Sequence, residues 1–218
     1  MTGSGASERV HGSDAPAPRS AAAQVAAASV AARRRSQPNG WWGMALFLCS
    51  EVTLFGTLIG TYFYLDFDAH AWPPAGVKAP SVVLPLVGTA CLLTTSLPMA
   101  LAARAARHGR RANVIALVSG AMIVQGLYLA LQILLFRHDL RDFRPQATAY
   151  GSIYFTLLAA HHAHVLLGIL LELAVLWQVA TKGLTNYWLI GVRATALYWH
   201  VVNVLAVFVV LTQLSPTL

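Results

Sequence analysis

Carboxyl and imidazole groups lie inside apolar stretches of this sequence, where they can bind metals, carry protons or hold helices together. Glu51 is the only acidic or basic side chain in residues 41–65, WWGMALFLCSEVTLFGTLIGTYFYL. A charged side chain near the middle of a membrane costs at least about 2.5 kcal/mol on insertion scales, so Glu51 is a candidate functional residue. The structural alternative is a protonated glutamic acid that is hydrogen-bonded to a neighbouring helix.

The other polar candidates lie in two later apolar stretches: His161, His162, His164 and Glu172 in residues 151–180, and His200 and Asn203 in residues 194–214. In a helix, His161 and His164 are about 60° apart and share a face. Glu172 follows His161 by eleven residues, which returns it to nearly the same side. The spacing predicts one polar seam through the first, fourth and fifth apolar stretches.

Three kinds of site fit such a seam. Neutral histidine is a common metal ligand, but no matched pair of histidines stands at equal depth and no cysteine or carboxylate completes a ligand set. A proton or solute path also uses chains of Glu and His inside a membrane. The third kind is structural: polar groups that bind lipid headgroups, neighbouring helices or a partner subunit. Residue types alone weakly favour the structural site and leave all three open.

Five apolar spans must position these groups. Of the 218 residues, 57% are hydrophobic and 11% are charged, against about 25% charged in soluble domains. Each span is long enough to cross a bilayer, and in lipid only helices or closed barrels satisfy the backbone. We therefore expect an all-α integral membrane bundle of five transmembrane helices, at about residues 41–65, 81–103, 113–136, 151–180 and 194–214.

The basic residues predict the orientation. They lie between the spans, which indicates topology rather than a nucleic-acid interface. An inward N-terminus puts eleven of them inside: Arg9, Arg19, Arg33, Arg34, Arg35, Arg104, Arg107, Arg110, Arg111, Lys182 and Arg193. Four lie outside: Lys78, Arg137, Arg141 and Arg144. We expect a cytoplasmic N-terminus and an outer C-terminus.

Other segments have simpler interpretations. Residues 1–38 are rich in Ala, Ser, Gly and Pro without a signal-peptide pattern, which predicts a disordered cytoplasmic tail before a five-helix domain at 39–218. Pro85 and Pro98 are expected to bend the second span. The remaining predictions concern side chains inside or beside the spans: Gln125 and Gln132 as structural hydrogen-bonding groups, Cys49 and Cys91 as small buried apolar residues, and Trp41, Trp42, Tyr187 and Trp188 as interfacial aromatics.

Five motifs occur in order along the spans: GMALFL followed by SE at 43–51, WPPAG at 72–76, PLVGTACLL at 85–93, YGSIYF with His161, His164, Val165 and Gly168 at 150–168, and YWH at 198–200. Each is weak alone, but the ordered set resembles subunit III of the haem–copper terminal oxidases, the cytochrome c and quinol oxidases. The resemblance covers about residues 41–214. Many members have seven helices, and this chain is similar to the shorter bacterial form that lacks the first two.

The chain departs from the family pattern at several positions. Asn203 stands where the family has Asp, Leu135 where it has Glu, and Gly88 where it has Asn. Ala160, His162 and Ala163 replace Phe, Gly and Leu beside the other histidines. Glu51 thus remains as the main family carboxylate.

The resemblance implies a non-redox accessory subunit with no catalytic centre, metal or cofactor of its own, in the bacterial inner membrane. Haem and copper belong to partner subunits. The chain is expected to pack on subunit I, with contacts to subunit II and possible small subunits, to bind phospholipid, and to support proton uptake and complex stability. Two alternatives are a homologue associated with nitric oxide reductase and a small proton-linked transporter. A transporter should show inverted repeats, which five spans do not display.

The residues expected to form the lipid, subunit or proton-uptake site are Glu51, His161, His164, Tyr198, Trp199, His200 and Asn203. We expect Glu51 to hydrogen-bond to His161, His164 or His200. His164 and His200 are candidates for bonds to lipid phosphate or between helices. Tyr198 and Trp199 would contact lipid or pack in the core.

Overall fold

A computed structural model describes Ser20 and residues 39–77, 83–183 and 186–217. The regular structure in these ranges is helical: α1 (Asn39–Asp68), α2 (Val83–Thr94), α3 (Ser96–Arg107), α4 (Arg111–Asp142), α5 (Ala149–Lys182), α6 (Asn186–Leu214) and a 3₁₀ turn (Ser215–Thr217). Five spans are long and apolar enough to cross a membrane, α2 and α3 forming one of them. This confirms the predicted all-α membrane bundle.

The helices extend beyond the predicted spans. The third span was expected at 113–136 and the fifth at 194–214, whereas α4 covers Arg111–Asp142 and α6 begins at Asn186. Hydropathy marks the apolar run, but a helix continues into polar sequence wherever its backbone bonds are satisfied. Arg137–Asp142 therefore form a last polar turn and a half of α4 rather than a loop.

The second span is interrupted at Thr95, between α2 and α3. Pro98 has no backbone N–H, so the helical bond to the carbonyl of Thr94 is absent. At the interruption, the Thr95 hydroxyl donates to the Leu92 carbonyl at 2.7 Å, and the Thr94 hydroxyl donates to the Cys91 carbonyl at 2.6 Å. The distortion predicted from the prolines thus lies one turn before Pro98.

Helix α6 is the centre of the bundle. In its most apolar window 61% of the residues are buried, against 11% for α1. It contacts α1, α2, α3 and α5, while α4 packs on α2, α3 and α5. Helix α1 contacts α5 and α6. It therefore presents most of its surface to lipid or to another protein.

The structure tests the sequence prediction for the two cysteines, whereas several other predictions concern residues that it does not describe. Cys49 and Cys91 are exposed on the surface of the chain, so the prediction that they are buried is wrong. Both lie on outward faces, which apolar sequence alone does not distinguish from inward ones. The remaining predictions concern the disordered tail at 1–38 with Arg33–Arg35, Lys78, and the side chains of Tyr187 and Trp188. Apart from Ser20, these lie outside the described residues.

Candidate functional site

Glu51 on α1 and His164 on α5 form a close side-chain pair. Their Oε2 and Nε2 atoms are 2.5 Å apart, and the two side chains are 14% and 13% exposed. Of the three histidines predicted as partners for Glu51, His164 is the one that the structure brings to it. The pair joins α1, the least buried span, to α5.

The second ring nitrogen of His164 determines how many protons the pair holds. Its Nδ1 lies 2.6 Å from the Ala160 carbonyl oxygen, which can only accept, so Nδ1 carries a hydrogen. The close contact between Nε2 and Oε2 then requires one proton between the two atoms. Neutral glutamic acid with neutral imidazole and glutamate with imidazolium both satisfy this requirement. Either form has zero net charge, which keeps the pair tolerable inside a membrane.

Aromatic residues hold the pair in place. The Phe55 ring is fully buried and packs edge-on against His164, with centroids 5.1 Å apart. The Tyr198 hydroxyl donates to the His164 carbonyl at 2.7 Å, and the Tyr198 ring stacks on Phe47 of α1 at 6.3 Å. Helices α1, α5 and α6 therefore meet around one carboxyl–imidazole contact.

Trp199 lies next to this cluster, fully buried between α5 and α6. A Cβ atom at Gly168 would lie 2.7 and 2.9 Å from atoms of the Trp199 ring and 3.0 Å from Tyr198. Glycine at this position thus allows the close approach of α6. The structure supports core packing for Trp199, which was one of its two predicted roles.

His161 and Glu172 face a different interface, between α4 and α5. His161 Nε2 is 3.2 Å from the Tyr128 hydroxyl, and the Gln125 amide donates to Glu172 Oε1 at 3.0 Å. The remaining oxygens of both Gln125 and Glu172 have no partner among the described residues. Glu172 is completely buried. The structural hydrogen-bonding role predicted for Gln125 is confirmed.

The predicted single seam through the first, fourth and fifth spans is therefore wrong. Helix α5 is contacted by α1, α4 and α6, so a rotation of 60° carries a side chain from one neighbour to the next. Asn203 forms a third polar contact, donating to Ser96 Oγ at 2.7 Å and to the Leu92 carbonyl at 3.5 Å. His200 lines a cavity at one end of the bundle.

The structure thus brings together Glu51, His164 and Tyr198, with Trp199 packed beside them, and separates His161, His200 and Asn203. Sequence analysis missed Tyr128, the partner of His161. The signal was present, since Gln125, Tyr128 and Gln132 recur at intervals of three and four and so share one helix face.

In the part of the chain that the structure describes, no group of three or more His, Cys, Asp or Glu residues is arranged so that it could hold a metal ion. The Glu51–His164 pair contains two side chains of types that can bind metals, and each is hydrogen-bonded to the other. The geometry of the pair allows one proton to be held between the two side chains.

Comparison with known proteins gives consistent similarities. Residues 34–214 match the model of the family described as cytochrome c oxidase subunit III. The chain is 30% identical over 167 residues to the cytochrome bo(3) ubiquinol oxidase subunit 3 of Pseudomonas aeruginosa, covering 76% of this chain and 79% of that one. It is 29% identical over 173 residues to the cytochrome c oxidase subunit 3 of Bacillus subtilis, covering 78% and 83%.

A third relative is matched over a smaller part of its length. The chain is 27% identical over 173 residues to the cytochrome c oxidase subunit 3 of Candida parapsilosis, and the alignment covers 77% of this chain and 64% of that protein. The chain thus spans less than two thirds of this relative.

Proposed function

The chain belongs to the cytochrome c oxidase subunit III family, and on that premise we propose that it is the non-redox accessory subunit of an aerobic respiratory haem–copper oxidase. Its five apolar spans make it a multi-pass membrane protein. Haem and copper belong to partner subunits in this proposal. The relatives carry both cytochrome c and ubiquinol oxidase names, and the proposal covers oxidases that use either electron donor.

The observation that carries the proposal is the Glu51–His164 pair. The pair can hold one proton with no net charge, and it links α1, the least buried helix, to α5, with both side chains partly exposed. Such a pair suits a contact with a partner subunit that takes up protons. The proposed role is to support proton uptake by subunit I and to hold α1 in the orientation that subunit I contacts.

The outward surface of α1 supports the proposal of a protein partner. The side chains of Leu46, Val52, Phe63, Tyr64 and Phe67 are between 45% and 94% exposed. Large exposed apolar patches mark protein or membrane contacts. We place subunit I on this surface, with subunit II and any small subunits further away and phospholipid in the remaining grooves.

The orientation in this proposal is a cytoplasmic N-terminus in the bacterial inner membrane. It is supported by eleven Lys and Arg residues on the inner side against four on the outer side.

The test is purification of the affinity-tagged full chain from its own membranes in a mild detergent, followed by mass identification and a haem spectrum. We expect a haem-containing subunit to accompany the wild type. Glu51→Gln should keep this association nearly intact, because its amide can donate to His164 Nε2. Glu51→Lys should block it, because a fixed positive charge replaces a neutral pair.

Two outcomes would contradict the proposal. One is a wild-type chain that is stable in the bilayer and has an activity of its own without a haem–copper partner. The other is equal recovery of the partner by wild type and Glu51→Lys. Haem absorbance in the isolated chain would favour a ligand site instead. Proton uptake is tested separately, in proteoliposomes containing the purified complex, where Glu51→Gln should slow it without loss of assembly.

A further inference from the structure

The contact between Gln125 and Glu172 lies between α4 and α5, on a different face of α5 from the Glu51–His164 pair. Both of its side chains are completely buried. The Gln125 amide donates to Glu172 Oε1 at 3.0 Å. The other side-chain oxygens, Gln125 Oε1 and Glu172 Oε2, have no hydrogen-bond partner in the part of the chain that the structure describes. One buried contact therefore presents two unsatisfied oxygens.

The surroundings of Glu172 favour a neutral side chain. Burial of an ionised carboxylate without a positive partner is very costly, above all inside a membrane. None of the ion pairs within residues 39–77, 83–183 and 186–217 includes Glu172. Arg111, the basic residue at the start of α4, donates instead to the Ala180 carbonyl near the end of α5. A proton on the carboxyl group removes the cost of burying the charge.

The bond from Gln125 decides which oxygen would carry this proton. Glu172 Oε1 already accepts from the Gln125 N–H, so the proton belongs on Oε2. A protonated Oε2 is a donor, whereas Gln125 Oε1 can only accept. The two unsatisfied atoms thus have complementary needs, although they do not bond to each other directly. A water molecule can accept from the first and donate to the second, and buried waters typically bond to such groups.

The interface between α4 and α5 is polar beyond this one contact. The Tyr128 hydroxyl, on the same face of α4 as Gln125, lies 3.2 Å from His161 Nε2. The Nδ1 atom of His161 is also buried and lacks a partner among the described residues. Unsatisfied polar atoms at two levels of one interface are typical of an interface that holds ordered water.

We propose that Glu172 is a second proton-binding site, in which Gln125 bonds the carbonyl oxygen and one water molecule bridges Glu172 Oε2 and Gln125 Oε1. The proton exchanges through this water: Oε2 passes its proton to the water, and the water returns another of its protons to Oε2. The carboxyl group is therefore neutral before and after the exchange.

A dry structural hydrogen bond accounts for the contact at Oε1, but it leaves the other two oxygens unsatisfied. The site requires only that the chain lies in a membrane. It does not depend on the partner subunits of the proposed function.

The experiment is infrared spectroscopy of the full chain in nanodiscs, in ordinary water and after transfer to heavy water. The difference between wild type and Glu172→Gln should contain the carbonyl band of one protonated carboxylic acid. Heavy water should shift this band to lower wavenumber while the chain stays folded. A carboxylate band in its place would overturn the neutral acid and would indicate a bound cation such as sodium. A band that does not shift would overturn exchange through water.

Two variants on one face of α4 test the partner. Gln125→Met should move the Glu172 band to higher wavenumber, because the carbonyl oxygen loses its donor. Gln132→Met is the matched control. It removes a buried amide about 10 Å further along α4, on the side that faces Gly88 of α2, and it should leave the band in place. Equal shifts in the two variants would contradict the role of Gln125. The heavy-water measurement uses the wild type, so it tests the site even if Gln125→Met does not fold.

Water labelled with a heavy oxygen isotope tests the bridge itself. An O–H stretching band of ordered water that shifts in the labelled water should be present in the wild type. It should be absent from Gln125→Met/Glu172→Met, which removes both unsatisfied oxygens. The same band at equal strength in both chains would overturn the bridging water.

Discussion

Glu51 Oε2 and His164 Nε2 lie 2.5 Å apart although the two residues are 113 positions apart in the sequence. The other ring nitrogen of His164, Nδ1, is hydrogen-bonded to the Ala160 carbonyl, so Nε2 is the ring nitrogen that can bond to α1. The pair is therefore a polar contact between the least buried span and α5, beside the aromatic packing of α1 on α6. A group that replaces either member must supply a matching donor or acceptor.

We predict that Glu51 and His164 are energetically coupled. Glu51→Leu and His164→Leu should each destabilise the full chain by about 1–2 kcal/mol, since each leaves one polar group unpaired in a membrane. The double variant should cost less than the sum, because no unpaired group remains. The measurement is reversible unfolding in mixed detergent micelles. Additive losses would show that the two side chains do not interact in the membrane.

For the Gln125–Glu172 pair, we predict that removing one partner destabilises the chain more than removing both. Gln125→Met leaves the completely buried Glu172 without its donor and should cost about 1–3 kcal/mol. The combined change Gln125→Met/Glu172→Met replaces both groups by apolar side chains of similar shape. Its stability should return to near the wild-type value.

The same unfolding assay, applied to all three chains, tests this second prediction. A double variant that is no more stable than Gln125→Met would mean that the pair has a role beyond mutual satisfaction. Glu172→Gln is a useful companion, because it keeps the shape of the side chain and cannot ionise.

The close approach of Gly168 to Trp199 gives a third prediction. Gly168→Ala places a carbon 2.7 Å from the indole ring and should destabilise the chain by about 1–3 kcal/mol through overpacking. Gly126→Ala is the matched control, since a Cβ at Gly126 meets nothing within 4 Å. That change should be neutral or stabilising by up to about 1 kcal/mol.

Rescue separates a local clash from a general effect of adding a methyl group. Trp199→Phe removes the second ring of the indole and should recover part of the stability lost in Gly168→Ala. If Gly168→Ala and Gly126→Ala melt at the same temperature, the approach of α6 to α5 is looser than the structure indicates.

The sequence was enough to identify the bundle, but it did not show how each helix is rotated about its axis. Long apolar runs fix the number of spans because a bilayer demands about 20 apolar residues for each crossing. In lipid, however, the outward face is as apolar as the inward face, so no amphipathic stripe marks the interior. This is why Cys49 and Cys91 were expected to be buried and are exposed.

The same lack of a stripe explains the outcome for the polar residues. The pattern placed Glu51 in the first span and His164 in the fourth, and His164 is the one of the three predicted partners that contacts Glu51. The pattern could not show that His161 and Glu172 face a different helix from His164, because a rotation of about 60° about the helix axis decides which neighbouring helix a side chain contacts. The packing of α4 against α5 makes Gln125 the partner of Glu172 and Tyr128 the partner of His161.

The start of α5 gives the last prediction. Thr148 has extended backbone angles and its hydroxyl oxygen accepts a hydrogen bond from the Gly151 N–H at 3.0 Å, which satisfies one of the free donors of the first turn. Thr148→Ala should therefore cost about 0.5–2 kcal/mol, whereas Thr148→Ser keeps the oxygen and should cost much less. Loss of the cap should fray the first turn of α5 and speed hydrogen exchange at residues 149–152. Exchange near His164, further along the same helix, should change less. Hydrogen exchange measured by mass spectrometry on the three chains tests this order, and equal exchange in the Ala and Ser variants would exclude the Thr148 hydroxyl as the cap.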